Sequence, residues 1–209
     1  MKTCLLALSA ALLLTPSGVR AQDAVPSNAY LQVHIGASLV TEEEVRFEGA
    51  GAKGVPGVVL REVDYDTGVA FGGAFGYQLS PMFAAEAELT ARVNDFDGNL
   101  GDDALTVTSL MANGVLTAPL KSSVRPYLGA GVGFAYSNLD GSNLALAWGA
   151  KAGLLYLYAP GRMVGFEASY IGTDGFGTES IDAADRIVDV HAEYGGAALL
   201  VSWRTNLGF

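Results

Sequence analysis

The chain is predicted to be all-β, a closed antiparallel eight-stranded transmembrane β-barrel, on three observations. Apolar and polar residues alternate with a period of two through most of the chain from Tyr30 onward. The composition is strongly apolar, yet no run after the N-terminus is long enough to cross a bilayer as a helix. The connections alternate between short turns and longer, more polar loops.

The alternation is read strand by strand. In the first strand Leu31, Val33, Ile35, Ala37 and Leu39 share one face, and Gln32, His34, Gly36 and Ser38 the other. A second strand, from about Thr67 to Gln78, sets Val69, Phe71, Gly73, Phe75 and Tyr77 against Ala70, Gly72, Ala74, Gly76 and Gln78. Leu79-Ser80-Pro81-Met82 then turns the chain. The third strand is the most informative: Phe83, Ala85, Ala87, Leu89, Ala91 and Val93 alternate with Ala84, Glu86, Glu88, Thr90 and Arg92. One face is wholly apolar and the other carries both signs of charge. A fourth strand, about Leu105 to Thr117, alternates less cleanly, with Asn113 inward and Leu110, Ala112 and Leu116 outward.

After a turn from Ala118 to Ser123, the fifth strand (about Pro126 to Tyr136) sets Leu128, Val132 and Phe134 against Tyr127 and a run of glycines. The sixth, about Leu144 to Tyr158, puts Leu146, Trp148 and Leu154 opposite Gly149, Lys151 and Gly153. Ala159-Pro160-Gly161 turns into the seventh, about Arg162 to Ile171, where Val164, Phe166, Ala168 and Tyr170 oppose Gly165, Glu167 and Ser169. The last strand starts near Val188. In it Leu199, Val201, Trp203, Thr205, Leu207 and Phe209 alternate with Leu200, Ser202, Arg204, Asn206 and Gly208. The longer connections fall at about Thr41 to Asp66, Asn94 to Ala104, Ser137 to Asn143 and Gly172 to Arg186. An even strand number closes the sheet and removes its edges.

Composition decides which face meets which solvent. Hydrophobic residues make up 50% of the chain and charged ones only 16%, against about a quarter charged in a soluble domain. The alternative is a soluble lipocalin-like barrel or β-sandwich. Its dry core would have to hold the charged face of these strands, at a large desolvation cost. The apolar face is therefore assigned to lipid. Phe83, Tyr136, Trp148, Tyr158 and Tyr170 fall near strand ends and suit interfacial girdles.

The N-terminus has the pattern of a secretory signal peptide. Lys2 precedes an apolar run from Leu5 to Leu14, Pro16-Ser17-Gly18 breaks it, and Val19-Arg20-Ala21 offers a cleavage site. Residues 1–21 are expected to be removed, leaving residues 22–209 as one barrel domain. Cys4, the only cysteine, lies in that segment. The exported chain would then have no disulfide, which the bacterial envelope tolerates.

Three stretches carry a family resemblance: Phe71–Leu89 (FGGAFGYQLSPMFAAEAEL), Arg125–Tyr136 (RPYLGAGVGFAY) and the terminal Phe209. They resemble the outer-membrane β-barrel family of small porin-like and opacity-like surface proteins, and the transmembrane domain of OmpA-type proteins. The likeness covers essentially all of residues 22–209. It implies an integral protein of the bacterial outer membrane with both termini in the periplasm, and no known ligand. Two departures from the family are expected: no peptidoglycan-binding domain after the barrel, and an idiosyncratic first external loop with Glu42-Glu43-Glu44. Phe209, with Leu207 and Trp203 at alternate upstream positions, resembles the signal read by the barrel-assembly machinery; an exposed strand edge there suits β-augmentation.

The candidate site is the inward charge set: Glu86, Glu88, Arg92, Lys151, Glu167 and Arg204. An eight-strand lumen is just wide enough for side chains to fill. That favours a plug of ion pairs over a gated ion pathway. Other motifs weaken on inspection. Gly129-Ala130-Gly131-Val132-Gly133 has neither the spacing nor the following helix of a dinucleotide loop. Asp95, Asp97, Asn99, Asp102 and Asp103 start like a Ca²⁺ loop, but its last ligand position is Thr106, so a solvated external loop is expected and no metal site.

Catalysis is not expected, and neither is a cofactor. The two histidines, His34 and His191, lack the His-x-Ser pattern of lipid A deacylase barrels. A net charge of −10 argues against nucleic acid. The expected partners are outer-membrane lipid and lipopolysaccharide, the assembly machinery during insertion, and a host or phage at the external loops. A structural, surface-exposed role follows. The alternatives are a narrow porin-like channel for small solutes and, less favoured, a lipid A-modifying enzyme.

Overall fold

The computed structural model describes residues 28–49, 67–94, 104–120, 122–138, 144–181 and 187–208; for 42–49, 177–181 and 187–192 it describes the backbone alone. The strands are β1 (Ala29–Gly49), β2 (Gly68–Gln78), β3 (Phe83–Asn94), β4 (Leu105–Thr117), β5 (Val124–Ser137), β6 (Leu144–Ala159), β7 (Arg162–Thr173), β8 (Phe176–Ile181) and β9 (Ile187–Asn206). Consecutive strands pair antiparallel from β1 to β7, β7 pairs with β9, and β9 pairs with β1. The sheet therefore closes on itself.

The barrel has eight staves because β8 is a continuation of β7. The β7–β9 ladder ends at Gly172↔Gly195, and the β8–β9 ladder resumes at Phe176↔Ala192. Asp174 and Gly175 interrupt it, with Gly175 at φ 108°, a left-handed conformation that costs glycine nothing. The Thr173 hydroxyl oxygen accepts the Tyr194 N–H at 3.1 Å and covers the break.

Two expected loops are partly strand. The sequence predicts one connection from Thr41 to Asp66, but β1 runs on to Gly49, paired with β9 as far as Gly49↔Val188. Gly172 to Arg186 likewise contains β8. Together β1, β9 and β8 extend the sheet beyond the mouth of the barrel. A register shift between Val40 and Glu42 marks where β1 leaves its regular ladder. Period-two hydropathy could not show this, because Glu42-Glu43-Glu44 does not alternate.

The short turns lie at the opposite end. In the first, the Ser80 hydroxyl accepts the Met82 and Phe83 amides at 3.3 and 3.1 Å. This local bonding is why serine suits a turn. In the turn after β6, Pro160 is followed by Gly161 at φ 70°. That order suits a turn with positive φ at its third position.

Burial follows the predicted faces. Leu31, Val33, Ile35, Phe75, Leu89, Leu110, Leu128, Phe134, Leu146, Leu154, Phe166 and Leu199 all point outward and are exposed, and Val132 reaches 67%. Gln32, His34, Ser38, Glu86, Glu88, Thr90, Arg92, Asn113, Lys151, Glu167, Ser202 and Arg204 are buried. The molecule is apolar outside and polar within, the inverse of a soluble domain. Phe83, Tyr136 and Tyr158 lie exposed near strand ends, while Trp148 sits further in and packs on the half-buried Tyr170, with ring centroids 5.4 Å apart.

The lumen is layered. Toward the long-loop end a buried apolar cluster contains Leu105, Val107, Met111, Ile171 and Phe176. Toward the short turns a second cluster holds Tyr30, Val115, Tyr127, Leu155 and Met163. The ion pairs of Lys151 lie between them, while Arg92 pairs in register with Val107 of the first cluster and Arg204 with Met163 of the second.

Candidate functional site

The site grows from the patterns of three strands spaced around the barrel. On β3, period two sends Glu86, Glu88, Thr90 and Arg92 to one side. On β6 it sends Lys151 inward between Gly149 and Gly153, and on β9 it sends Arg204 inward. Strands β3 and β6 are separated by two strands in the sheet, so their side chains meet across the lumen.

Lys151 is the hub. Its Nζ donates to Glu86 Oε2 and to Glu88 Oε2, each at 2.6 Å. Glu86 also accepts from Arg204 Nη2 at 3.0 Å and from the Tyr30 hydroxyl. Glu88 accepts further bonds from Asn113 Nδ2 at 2.9 Å and Thr90 Oγ1 at 3.1 Å. These are charge-assisted bonds in a buried site, where they are stronger than neutral ones.

Arg204 is oriented by more than its carboxylate. Gln32 Oε1 accepts from its Nε and Nη2 at 2.9 and 2.8 Å. The guanidinium lies 4.1 Å from the centroid of the Tyr30 ring and 5.8 Å from that of Tyr127. This is cation–π packing in a desolvated setting. His34 is bonded to Thr90 at 2.9 Å. Because the single Thr90 hydroxyl proton goes to Glu88, His34 Nε2 is the donor.

The remaining two charges stand apart. Glu167 accepts from the Tyr127 hydroxyl through Oε2. Arg92 donates through Nη2 to Ser169 Oγ at 3.4 Å. Among the described residues the ion pairs are Lys151–Glu86, Lys151–Glu88 and Arg204–Glu86. Four of the six predicted lumen charges thus form one connected network, and Arg92 and Glu167 are enclosed with them but held by hydroxyls.

Sequence reasoning missed the tyrosines and Gln32 as members of the site. Their parity was visible, since Gln32 and Tyr127 fall on the inward face. Their partners depend on strand tilt and on chords across the lumen, which no local pattern reports. The glycines opposite them were a usable signal. A Cβ on Gly76 would lie 2.0 Å from Tyr30 Cζ, one on Gly153 2.7 Å from the Tyr127 ring, and one on Gly129 3.0 Å from Lys151 Cγ. Those glycines open the room into which the large lumen side chains fold.

Of the proposed assembly signal, Trp203 faces outward and is 37% exposed. Leu207 lies just past β9, its amide bonded to the Ala29 carbonyl at 2.9 Å. Phe209 lies outside the described residues, as do Asp95, Asp97, Asn99, Asp102 and Asp103 and the N-terminal segment 1–21.

The comparisons agree with this architecture. The model of the family described as "Outer membrane protein beta-barrel domain" matches residues 7–196. Among solved structures the chain is similar to Neisserial surface protein A, with TM-score 0.55 at 16% identity, covering 87% of this chain and 98% of that one. It is also similar to the outer membrane protein OprG from Pseudomonas aeruginosa, with TM-score 0.54 at 14% identity, covering 87% and 98%. A third likeness is to the outer membrane protein AlkL, with TM-score 0.53 at 18% identity, covering 93% and 99%. At such identities these three likenesses speak for the fold alone. Among curated proteins none matches. A cylinder with an apolar exterior, a charged interior and a family match over most of its length leads to one conclusion: the chain belongs to the outer membrane protein beta-barrel domain family and is a bacterial outer-membrane β-barrel.

Proposed function

We propose that this protein is a sealed, non-catalytic barrel that serves envelope integrity and presents its loops at the cell surface. The observation that carries this reading is the layered lumen. The network centred on Lys151 fills the middle, and buried apolar clusters lie on either side of it. Ions crossing this path would have to break charge-assisted bonds between buried side chains.

The reading includes cleavage after Ala21, periplasmic termini, and recognition of Phe209, Leu207 and Trp203 by the assembly machinery. The short turns would then face the periplasm, and the extension built by β1, β9 and β8 would stand outside the cell, beside lipopolysaccharide and within reach of a host or phage. Against an enzyme on the lipid face, His34 is buried in the lumen and engaged with Thr90. It cannot serve as a base for a substrate in the bilayer.

Planar-bilayer recording of the purified barrel tests the proposal. Silence across the usual range of voltages is expected. Reproducible single-channel steps that respond to changes at Lys151 would establish the porin-like alternative.

A further inference from the structure

Two recesses meet on the outer wall of the barrel. The first is an apolar groove of about 590 Å³ across β3 to β6, walled by Leu110, Val132, Phe134, Leu146 and Trp148. The second, of about 470 Å³, lies at the long-loop end of β6, β7 and β9 and is lined by Trp148, Tyr170, Gly172, Asp174, Glu193 and Gly195. Trp148 and Asp174 border both. One row of cross-strand partners runs from the groove into the second recess: Ala87↔Ala112, Ala112↔Val132, Val132↔Trp148, Trp148↔Gly172 and Gly172↔Gly195.

The two recesses differ in chemistry. The large side chains that wall the groove are apolar and face lipid. In the second recess the Trp148 indole lies over Gly172, where a Cβ would come within 2.7 Å of its Cζ2, and it packs on the Tyr170 ring. The paired glycines leave bare backbone between these rings and two exposed carboxylates, Asp174 and Glu193. Among the described residues no lysine or arginine pairs with either carboxylate. A cation in this recess is attracted both by the two carboxylates and by the ring faces. The volume lies within the range of about 300–1,000 Å³ that holds small molecules, so it suits a head group better than a bare ion.

We infer that the double recess binds a lipid whose head group carries an ammonium. The ammonium lies between Asp174 and Glu193 and against Trp148 and Tyr170, and an acyl chain follows the groove past Val132 and Leu110. The same two carboxylates repel an anionic head group. The site is on the outside of the sheet, so it does not depend on the lumen being sealed.

The test is tryptophan quenching in the barrel folded in dodecyl maltoside, with Trp203→Phe leaving Trp148 as the one indole. Phosphatidylethanolamine and phosphatidylglycerol, each with brominated acyl chains, are titrated separately. Phosphatidylethanolamine is expected to reach half-maximal quenching at about fivefold lower concentration, the worth of a partly exposed cation–π contact with an ion pair. In Asp174→Asn with Glu193→Gln that difference should disappear while both lipids still quench. Equal half-points before the double substitution, a lower one for phosphatidylglycerol, or a preference that survives the substitution would each overturn the inference. Trp203 pairs with Val164 toward the short turns, away from both recesses, so the two titrations on the unaltered chain decide the matter even if a variant fails to fold.

Discussion

At the scale of single residues, enclosure of charge governs this barrel. Glu86 and Glu88 share one ammonium, and each has further donors. A pair like this adds little to stability over a well-packed apolar core, but removing one partner leaves the others stranded. Lys151→Met should therefore destabilise the barrel by about 3–5 kcal/mol, the usual cost of breaking a buried pair. Urea unfolding in detergent measures it, and the gel mobility difference between heated and unheated protein should disappear at a lower temperature. An unchanged transition would remove the plug from the account. Glycine sites offer a second test. Gly76→Ala places a methyl 2.0 Å from Tyr30 and must push the phenol away from Glu86, whereas at Gly208 a Cβ meets nothing within 4 Å. The first should cost about 1–3 kcal/mol, the range for overpacking, and the second nothing. Equal effects in the same unfolding assay would contradict the packing described.

At the scale of elements, each strand is a two-sided ribbon whose sides meet different solvents. The prediction here concerns the outer side. Val132, in the middle of β5, is 67% exposed, and Leu79, in a turn, is 58% exposed. Arginine at the bilayer midplane of a barrel costs about 2–4 kcal/mol and near the interface about 0–1. Val132→Arg should therefore be far more damaging than Leu79→Arg in folding titrations with lipid vesicles, although both side chains are comparably exposed. A soluble barrel would tolerate the two alike. The same two-sidedness made most strands legible. β3 could be placed because Ala85, Ala87 and Leu89 alternate with Glu86, Glu88 and Thr90, and β4 was placed mainly by Asn113, which is indeed inward. The distal part of β1 and all of β8 were not legible. There strand pairing continues without a sustained apolar face, so the period-two signal fails while backbone hydrogen bonding does not. The Lys151 network was half legible: parity identified its charges, but contacts across the lumen, such as that of Arg204 with Tyr127, arise only when the β1–β9 ladder closes the sheet.

At the scale of the whole molecule, closure through the β1–β9 ladder removes the unpaired sheet edges that hydrocarbon would penalise. It also forces the inward residues of opposite strands together, which turns a row of alternating charges into a plug. The central claim is that hydrocarbon surrounds the outer face while the charged face is enclosed. Nitroxide scanning in bilayers tests it most directly, since Cys4 is the only native cysteine and lies before the barrel. Labels placed one at a time at Tyr127, Leu128, Val132, Phe134 and Ala135 are compared for collisions with oxygen, which dissolves in lipid. High oxygen accessibility at Leu128, Val132 and Phe134, with low values at Tyr127 and Ala135, is the predicted result. Oxygen accessibility that peaks at Tyr127 and Ala135, or shows no alternation at all, would contradict it.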